Sequence, residues 1–503
     1  MRPWSERAPL FEAIAAYQSQ TVGRFHVPGH KARPEAFGPG ASYYQGLLPL
    51  DVTELRGLDD LHHPEEAIHE AQQLAADCFG AEETFFLVNG STVGNQAMIA
   101  AVCRPGDLLL VQRDAHKSVI HGLMLAGAHA VFVHPRIDER TGLRGGIALE
   151  DVEEALRLYP QAKGLLLTCP SYYGIGPDLE SIAELLHARH KCLLVDEAHG
   201  AHYGFHPELP GSALSCGADA VVQSTHKMLT ALTMGSMLHV QGQRVSREIL
   251  RRILGMLQSS SPSYPIMASL DLSRRYLQEQ GTGAITSALA VLESWRSGIA
   301  RRPRWSLARI SGPYRSDPFK QLLYDAAGKL NGYELQAKLE ESGCYAEMAD
   351  AGYVVLAFSL VSRLEEVHHL LEALDRIAQQ EQPDDASRPS SGYAAEATGI
   401  RQGASFRERI SQPVPFSIAS IHGQTASRLV PLDSCEGHMA AEMIVPYPPG
   451  IPLLYPGERI TPQIAADLRL LAGSGARFQG HNVTELGTIP VRSSQLAEQE
   501  TFE

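Results

Sequence analysis

The chain has 503 residues, 44% of them hydrophobic and 20% charged, enough apolar material for two or three domains with cores of their own. Its formal net charge of -14 argues against a general nucleic-acid or acidic-membrane binder, which needs a concentrated basic surface, although a local cationic site is still allowed. Seven cysteines, at 78, 103, 169, 192, 216, 344 and 435, are odd in number and widely spaced, so they read as reduced thiols of a cytoplasmic protein rather than a disulfide or zinc framework.

The opening residues, Met1 to Arg7, lack the apolar core of a signal peptide, and no run approaches the ~18 apolar residues of a membrane span. Residues 10–20 have the spacing of a short amphipathic helix. After them Gly23-Arg24-Phe25-His26-Val27-Pro28-Gly29-His30-Lys31 reads either as a loop that brings polar groups to a site or as an ordered surface turn. Residues 51–64 again mix acids and histidines around turns. His62 and His63 point apart on a strand and have no carboxylate or cysteine at ligand spacing, so no metal is expected.

From residue 65 to about 245 the pattern is α/β. A helix over Glu65 to Phe79 leads to apolar strands at 84–88, 108–111, 130–133, 164–168, 192–195, 220–223 and 236–240, with helical stretches between most of them. That alternation predicts a mostly parallel, seven-stranded sheet covered on both faces.

Polar residues fall where such a sheet exposes the carboxyl ends of its strands. Asn89-Gly90-Ser91-Thr92 is a small-residue turn opening a helix, read as a phosphate cradle against the simpler alternative of an N-cap. It has neither the Walker ending nor the dinucleotide glycine fingerprint. His116, in Asp114-Ala115-His116-Lys117-Ser118, either stacks on a planar cofactor or caps a helix. Thr168-Cys169-Pro170-Ser171-Tyr172-Tyr173-Gly174 supplies hydroxyls on a turn.

Asp196 follows apolar residues and, buried there, needs a cationic partner or strong donors to stay ionised. Lys227 closes Ser224-Thr225-His226-Lys227 at the next strand end and reads as a nucleophilic amine. A carboxylate for a ring nitrogen and an amine for a ring aldehyde, on neighbouring strand ends, together point to pyridoxal phosphate.

Beyond residue 245 the chain becomes helix-rich, with a polar loop at 259–265 and a long helix over 277–300. The expected division is a lead-in over 1–64, a cofactor-binding large domain over 65–300, a small α/β domain over 301–378, a linker over 379–405 and a C-terminal domain over 406–503. In the last of these, five prolines between 446 and 456 set a rigid extended path.

The strings Phe25-His26-Val27-Pro28-Gly29-His30-Lys31, Asp51-Val52-Thr53-Glu54-Leu55, Leu58-Asp59-Asp60-Leu61, Asn89-Gly90-Ser91-Thr92, Asp114-Ala115-His116-Lys117-Ser118, Asp196-Glu197-Ala198-His199-Gly200, Ser224-Thr225-His226-Lys227 and the proline-rich 446–458 segment occur in the order seen in one family. The chain resembles the Orn/Lys/Arg decarboxylases, which are fold type I (aspartate aminotransferase-like) pyridoxal phosphate enzymes.

The resemblance implies that Lys227 bonds the cofactor, Asp196 pairs with its ring nitrogen and His116 stacks on the ring. It implies that Ser91, Thr92, Ser224 and His226 bind the phosphate, and that Lys227 or His226 returns a proton to the substrate carbon. It further implies a homodimer in which the 23–31 or 259–264 loop serves a neighbouring site.

A lead-in that begins near Met1, with no N-terminal wing domain, makes the chain more similar to the shorter biosynthetic members that feed polyamine synthesis. Arginine is expected ahead of lysine or ornithine as substrate. Asp433, Glu436 and Glu442 are candidates for the far end of that substrate. The competing expectations are another fold type I reaction, such as an aminotransferase or a lyase, and a catalytically silent pyridoxal phosphate-binding protein.

Overall fold

The computed structural model describes residues 6–21, 23–380, 409–419, 427–447, 450–473 and 475–493. The expected 379–405 linker therefore lies, from 381 onward, outside the described residues.

After helix α1 (Pro9–Gln20) and helix α2 (Ala67–Phe79), the chain lays down strand β1 (Glu83–Leu87), helix α3 (Gly90–Val102), strand β2 (Leu108–Gln112), helix α4 (Lys117–Ala126) and strand β3 (His129–Val133). Helix α5 (Leu149–Leu158), strand β4 (Gly164–Thr168), helix α6 (Leu179–His187) and strand β5 (Cys192–Asp196) follow. Strand β6 (Ala220–Gln223), the single turn α7 (Thr225–Met228) and strand β7 (Ser236–Val240) complete the seven expected strands. Leucine and valine are the commonest residues of these strands because both faces are covered; β2, β5 and β7 are buried at every position.

The sheet order is β1-β7-β6-β5-β4-β2-β3, extended by an eighth strand, β8 (Val414–Pro415), which pairs antiparallel with β3. The sequence pattern contained no sign of β8. Its two residues gain a partner only because β3 presents a free edge, and a proline is tolerated there because an edge strand has one unpaired side. β2, β3, β4, β5 and β6 pair in parallel, while β7 runs antiparallel to both of its neighbours. Parallel pairing brings the carboxyl ends of β2, β4, β5 and β6 to one rim.

The long helix spans Tyr264–Ala300, so it begins well before residue 277, and the polar loop ends at Ser263. Pro265 sits in its first turn, where a missing N–H costs nothing. Its buried Asp271 accepts from the amides of Leu10 and Phe11 and pairs with Arg274 at 3.0 Å, which ties the first turn of α1 to this helix.

A four-stranded antiparallel sheet follows, in the order Trp305–Leu307, Lys320–Asp325, Val354–Ala357 and Met348–Ala349, backed by helices Gly332–Glu341 and Leu364–Gln380. The C-terminal residues build their own apolar cluster around Cys435, Leu454, Ile460, Leu468 and Val491. All seven cysteines are unpaired, and five of them are buried.

Candidate active site

The carboxyl ends of β1, β2, β4, β5 and β6 surround a cavity of about 330 Å³. Ser91, Thr92, His116, Asp196, Ser224, His226 and Lys227, the seven residues singled out from sequence, all line it. Their convergence follows from the parallel pairing, since each belongs to the turn that leaves a strand.

Asp196 ends β5 and is 3% exposed. Asn95 Nδ2 donates to its Oδ2 at 2.7 Å and the Ala198 amide donates to Oδ1 at 3.2 Å, but among the described residues no cationic side chain forms an ion pair with it. Burial holds its carboxyl above the ordinary aspartate value; the Asn95 donor and the charge of Lys227 act the other way.

The second Asn95 N–H donates to Ser118 Oγ at 2.9 Å. Ser118 Oγ lies 2.8 Å from His116 Nδ1, which also accepts from the Ser118 amide, so a neutral His116 carries its proton on Nε2. Burial, followed by the charges of Lys227 and Lys117, pushes His116 down to about 3. One unbroken relay thus runs from the floor carboxylate to the imidazole on the wall.

Ser91 sits in the first turn of α3 with its Oγ 2.7 Å from Ser224 Oγ and 3.3 Å from Ser236 Oγ. Thr92 beside it is exposed and lines the cavity. His226 gives its Nδ1 proton to the Gly235 carbonyl at 2.9 Å, because a carbonyl can only accept; Nε2 is left as an acceptor. Burial lowers its basicity.

Lys227 meets solvent through the cavity, yet protein surrounds its amine closely enough that burial holds it below the ordinary lysine value. Asp196 and Glu347 oppose that shift and Lys320 adds to it. Its Nζ lies 3.1 Å from His199 Nε2 and 5.5 Å from the centre of the Tyr172 ring.

The sequence reading assigned no role to Asn95, Ser118, His199 or Lys320. Asn95 was within reach of it, being one helical turn after Ser91 on the same face. Lys320 was not, since nothing local relates it to a site more than ninety residues upstream. Conversely, Asp433, Glu436 and Glu442 are exposed and none of them lines the cavity; the C-terminal residues that do are Tyr447 and Ile451. The Gly450 carbonyl accepts from the Lys117 amide at 3.3 Å and its amide donates to the Pro446 carbonyl at 3.1 Å, and this holds Tyr447 and Ile451 inward while the three acids stay outside.

These groups suit pyridoxal phosphate. A buried carboxylate without a cationic partner can hold a protonated ring nitrogen, an amine with weakened charge can meet an aldehyde, and a hydroxyl-lined helix start can hold a phosphate. The hydroxyl of Thr168, buried and without a partner, also lines the cavity.

Comparison with known proteins agrees. The family model for the Orn/Lys/Arg decarboxylase major domain matches residues 8–317, and that for the C-terminal domain matches residues 407–488. The uncharacterised protein YaaO of Bacillus subtilis (strain 168) is 39% identical over 94% of this chain and 96% of its own length. An arginine decarboxylase of the same organism is 33% identical over 97% and 98%. The crystal structure of the Francisella novicida lysine decarboxylase LdcF shares the fold, with a TM-score of 0.79 at 20% identity over 97% of this chain and 81% of that one. The chain belongs to the Orn/Lys/Arg decarboxylase family, and it is a pyridoxal phosphate-dependent decarboxylase of basic amino acids.

Proposed function

We propose that the chain removes the α-carboxylate of arginine, in preference to lysine or ornithine, and so supplies an amine for polyamine biosynthesis in the cytoplasm. The observation that carries the reading is the placement of Lys227 and Asp196 on adjacent parallel strand ends over one cavity. Similarity at 33% identity to an arginine decarboxylase over nearly the whole chain supports arginine. Seven unpaired cysteines suit a reducing compartment.

When bound, pyridoxal phosphate supplies an electron sink for the electron pair left behind as CO₂ departs. The chain's own residues do the rest. Ser91, Thr92, Ser224 and His226 anchor the phosphate end, and His116, fixed by Ser118, packs against the ring. Asp196 keeps a proton on the ring nitrogen, with Asn95 holding the carboxylate in place. Lys227 would be the amine that holds the aldehyde. Lys227 Nζ, or His226 once its Nε2 has taken up a proton, would deliver the proton that replaces the carboxylate on the same carbon.

The working unit in this reading is a homodimer. Phe25 is 100% exposed, Val27 64% and Tyr43 87%, an apolar surface on the 23–44 segment that a second copy would cover.

Release of CO₂ from arginine, lysine and ornithine by the purified protein tests the reading. Faster release from arginine, abolished in Lys227→Ala with the fold intact, is the expected result. Preference for another of the three overturns the arginine assignment, and wild-type turnover in Lys227→Ala overturns the role of Lys227.

A further inference from the structure

His199 stands between two lysines. Its Nε2 is 3.1 Å from Lys227 Nζ, and its Nδ1 is 3.2 Å from Nζ of Lys320, at the start of the second sheet's Lys320–Asp325 strand. Both His199 and Lys320 are buried, at 3% and 5% exposure. The segment carrying Lys320 is docked firmly. Asp317 meets His202 at 3.1 Å with both side chains fully buried, and its backbone carbonyl accepts from the Lys320 amide. Gly174 packs so closely that an added Cβ would stand 2.6 Å from Lys320 Cβ.

A neutral imidazole has one N–H and one lone pair. It can accept from one ammonium, but a second ammonium would set N–H against N–H. With both contacts kept, one lysine must be the free amine.

The surroundings decide which. Lys320 is enclosed, and burial lowers it as it lowers Lys227; the carboxylates of Glu347 and Asp317 favour its charge. Lys227 has Asp196 and Glu347 in favour but the charge of Lys320 against. His116 and His226 are both held below the ordinary histidine value, and the Tyr172 ring, centred 4.5 Å from that of His199, keeps its phenol proton, so none of the three supplies a competing charge.

We propose that Lys320 is a positioning residue: its ammonium donates to His199 Nδ1 and thereby fixes the tautomer with the proton on Nε2, which donates to Lys227 and holds that amine neutral and nucleophilic. The proposal rests on the reading of Lys227 as the cofactor-bonding amine. It gives the small domain a part in the chemistry although Lys320 does not itself line the cavity.

The test is the pH dependence of the rate at which the apoprotein captures pyridoxal phosphate, followed by visible absorbance, since only a neutral amine attacks an aldehyde. In Lys320→Met the half-maximal rate is expected to move up by about one pH unit, roughly a tenfold slower capture at neutral pH. Lys320→Arg, which keeps the charge, should restore most of the wild-type profile. His199→Phe should show the same upward movement, and adding Lys320→Met to it should change nothing further.

An unmoved profile in Lys320→Met overturns the proposal. An equal movement by Lys320→Met in the His199→Phe background also overturns it, by showing a bare field effect. If Lys320→Met does not fold, an unmoved profile in His199→Phe is sufficient to overturn it. Borohydride reduction and peptide mass mapping of the wild type separate the two levels of inference: a label absent from Lys227 sinks the underlying reading, whereas a label on Lys227 with an unmoved profile sinks only the role of Lys320.

Discussion

Arg113 lays its guanidinium 4.1 Å from the centre of the Tyr455 ring, joining the first residue after β2 to a ring 342 positions later. Its Nη1 donates to the Tyr455 hydroxyl at 2.8 Å and to the Pro452 carbonyl at 3.0 Å, and its Nη2 reaches the Leu453 carbonyl and both oxygens of Glu458. The Tyr455 hydroxyl donates back to the Arg113 carbonyl at 2.9 Å. Planar, five-donor chemistry is what this contact uses, and a lysine cannot reproduce it. The clamp holds the 450–458 turn against the strand end that leads to His116.

Arg113→Met should therefore leave Glu458 and three oxygen acceptors without their donor and cost roughly 2–4 kcal/mol. Arg113→Lys should recover only part. Thermal unfolding gives the magnitude. Protease cleavage between 446 and 458, together with a weaker affinity for pyridoxal phosphate, should show that the C-terminal turn has come away from the cavity.

Asn95→Ala removes the side-chain donor that Asp196 has within the protein. Among the described residues the carboxylate then keeps only the Ala198 amide as a hydrogen-bond donor, so it keeps its proton to higher pH and holds a ring nitrogen less well. Affinity for pyridoxal phosphate should fall by about 1–3 kcal/mol, or roughly five- to 150-fold, with little change in the far-ultraviolet spectrum. Asn95→Asp should be worse, because it sets a second carboxylate beside the first. Equilibrium titration of the apoprotein with the cofactor measures both.

His239 sits fully buried between Thr84 Oγ1 at 2.8 Å and Gln223 Oε1 at 3.2 Å, and burial pushes it from 6.5 down to about 3. Between those two values the unfolded chain binds a proton that the folded one refuses, so stability present above pH 6.5 is lost as the pH falls. His116 and His134, both pushed down to about 3, act in the same direction. His239→Gln should remove about 1–2 kcal/mol of the loss between pH 7 and pH 5. Urea midpoints of wild type and variant at the two pH values provide the comparison.

Gly94 packs α3 tightly onto the sheet. A Cβ there would stand 2.4 Å from Val222 Cγ2 and 2.9 Å from Leu87 Cδ1, so the helix or the strands must shift to admit it. Because α3 carries Ser91 and Thr92 in its first turn, the shift reaches the phosphate end of the cavity. Gly94→Ala should cost about 1–3 kcal/mol of stability and also weaken cofactor binding. Unchanged affinity in a destabilised variant would show that the strain is absorbed elsewhere.

The sequence by itself carried the seven strands of the large sheet to within a residue or two, because each is a short apolar run bounded by turn residues, and that signal is local. It also carried the seven cavity residues, each in the turn leaving a strand. Parallel topology sends all such turns to one rim, so naming the fold class was enough to bring them together. The start of the long helix was legible only in part, since Ser-Pro-Ser-Tyr-Pro reads as a loop until Pro265 is recognised as a first-turn residue.

Tertiary structure alone decided the rest. The lone pairs and protons of His116 and His226 follow from Ser118 and Gly235, and no sequence pattern assigns a tautomer. Strand β8, the Arg113 clamp and the Lys320 contact on His199 join residues more than a hundred positions apart, where the entropy of closing the chain is overcome only by packing that local propensity does not encode. For the same reason Asp433, Glu436 and Glu442 were plausible from their charge and yet stand outside the cavity. Which side chains of the C-terminal section turn inward is settled by how that section docks on β2, and its composition is silent on the point.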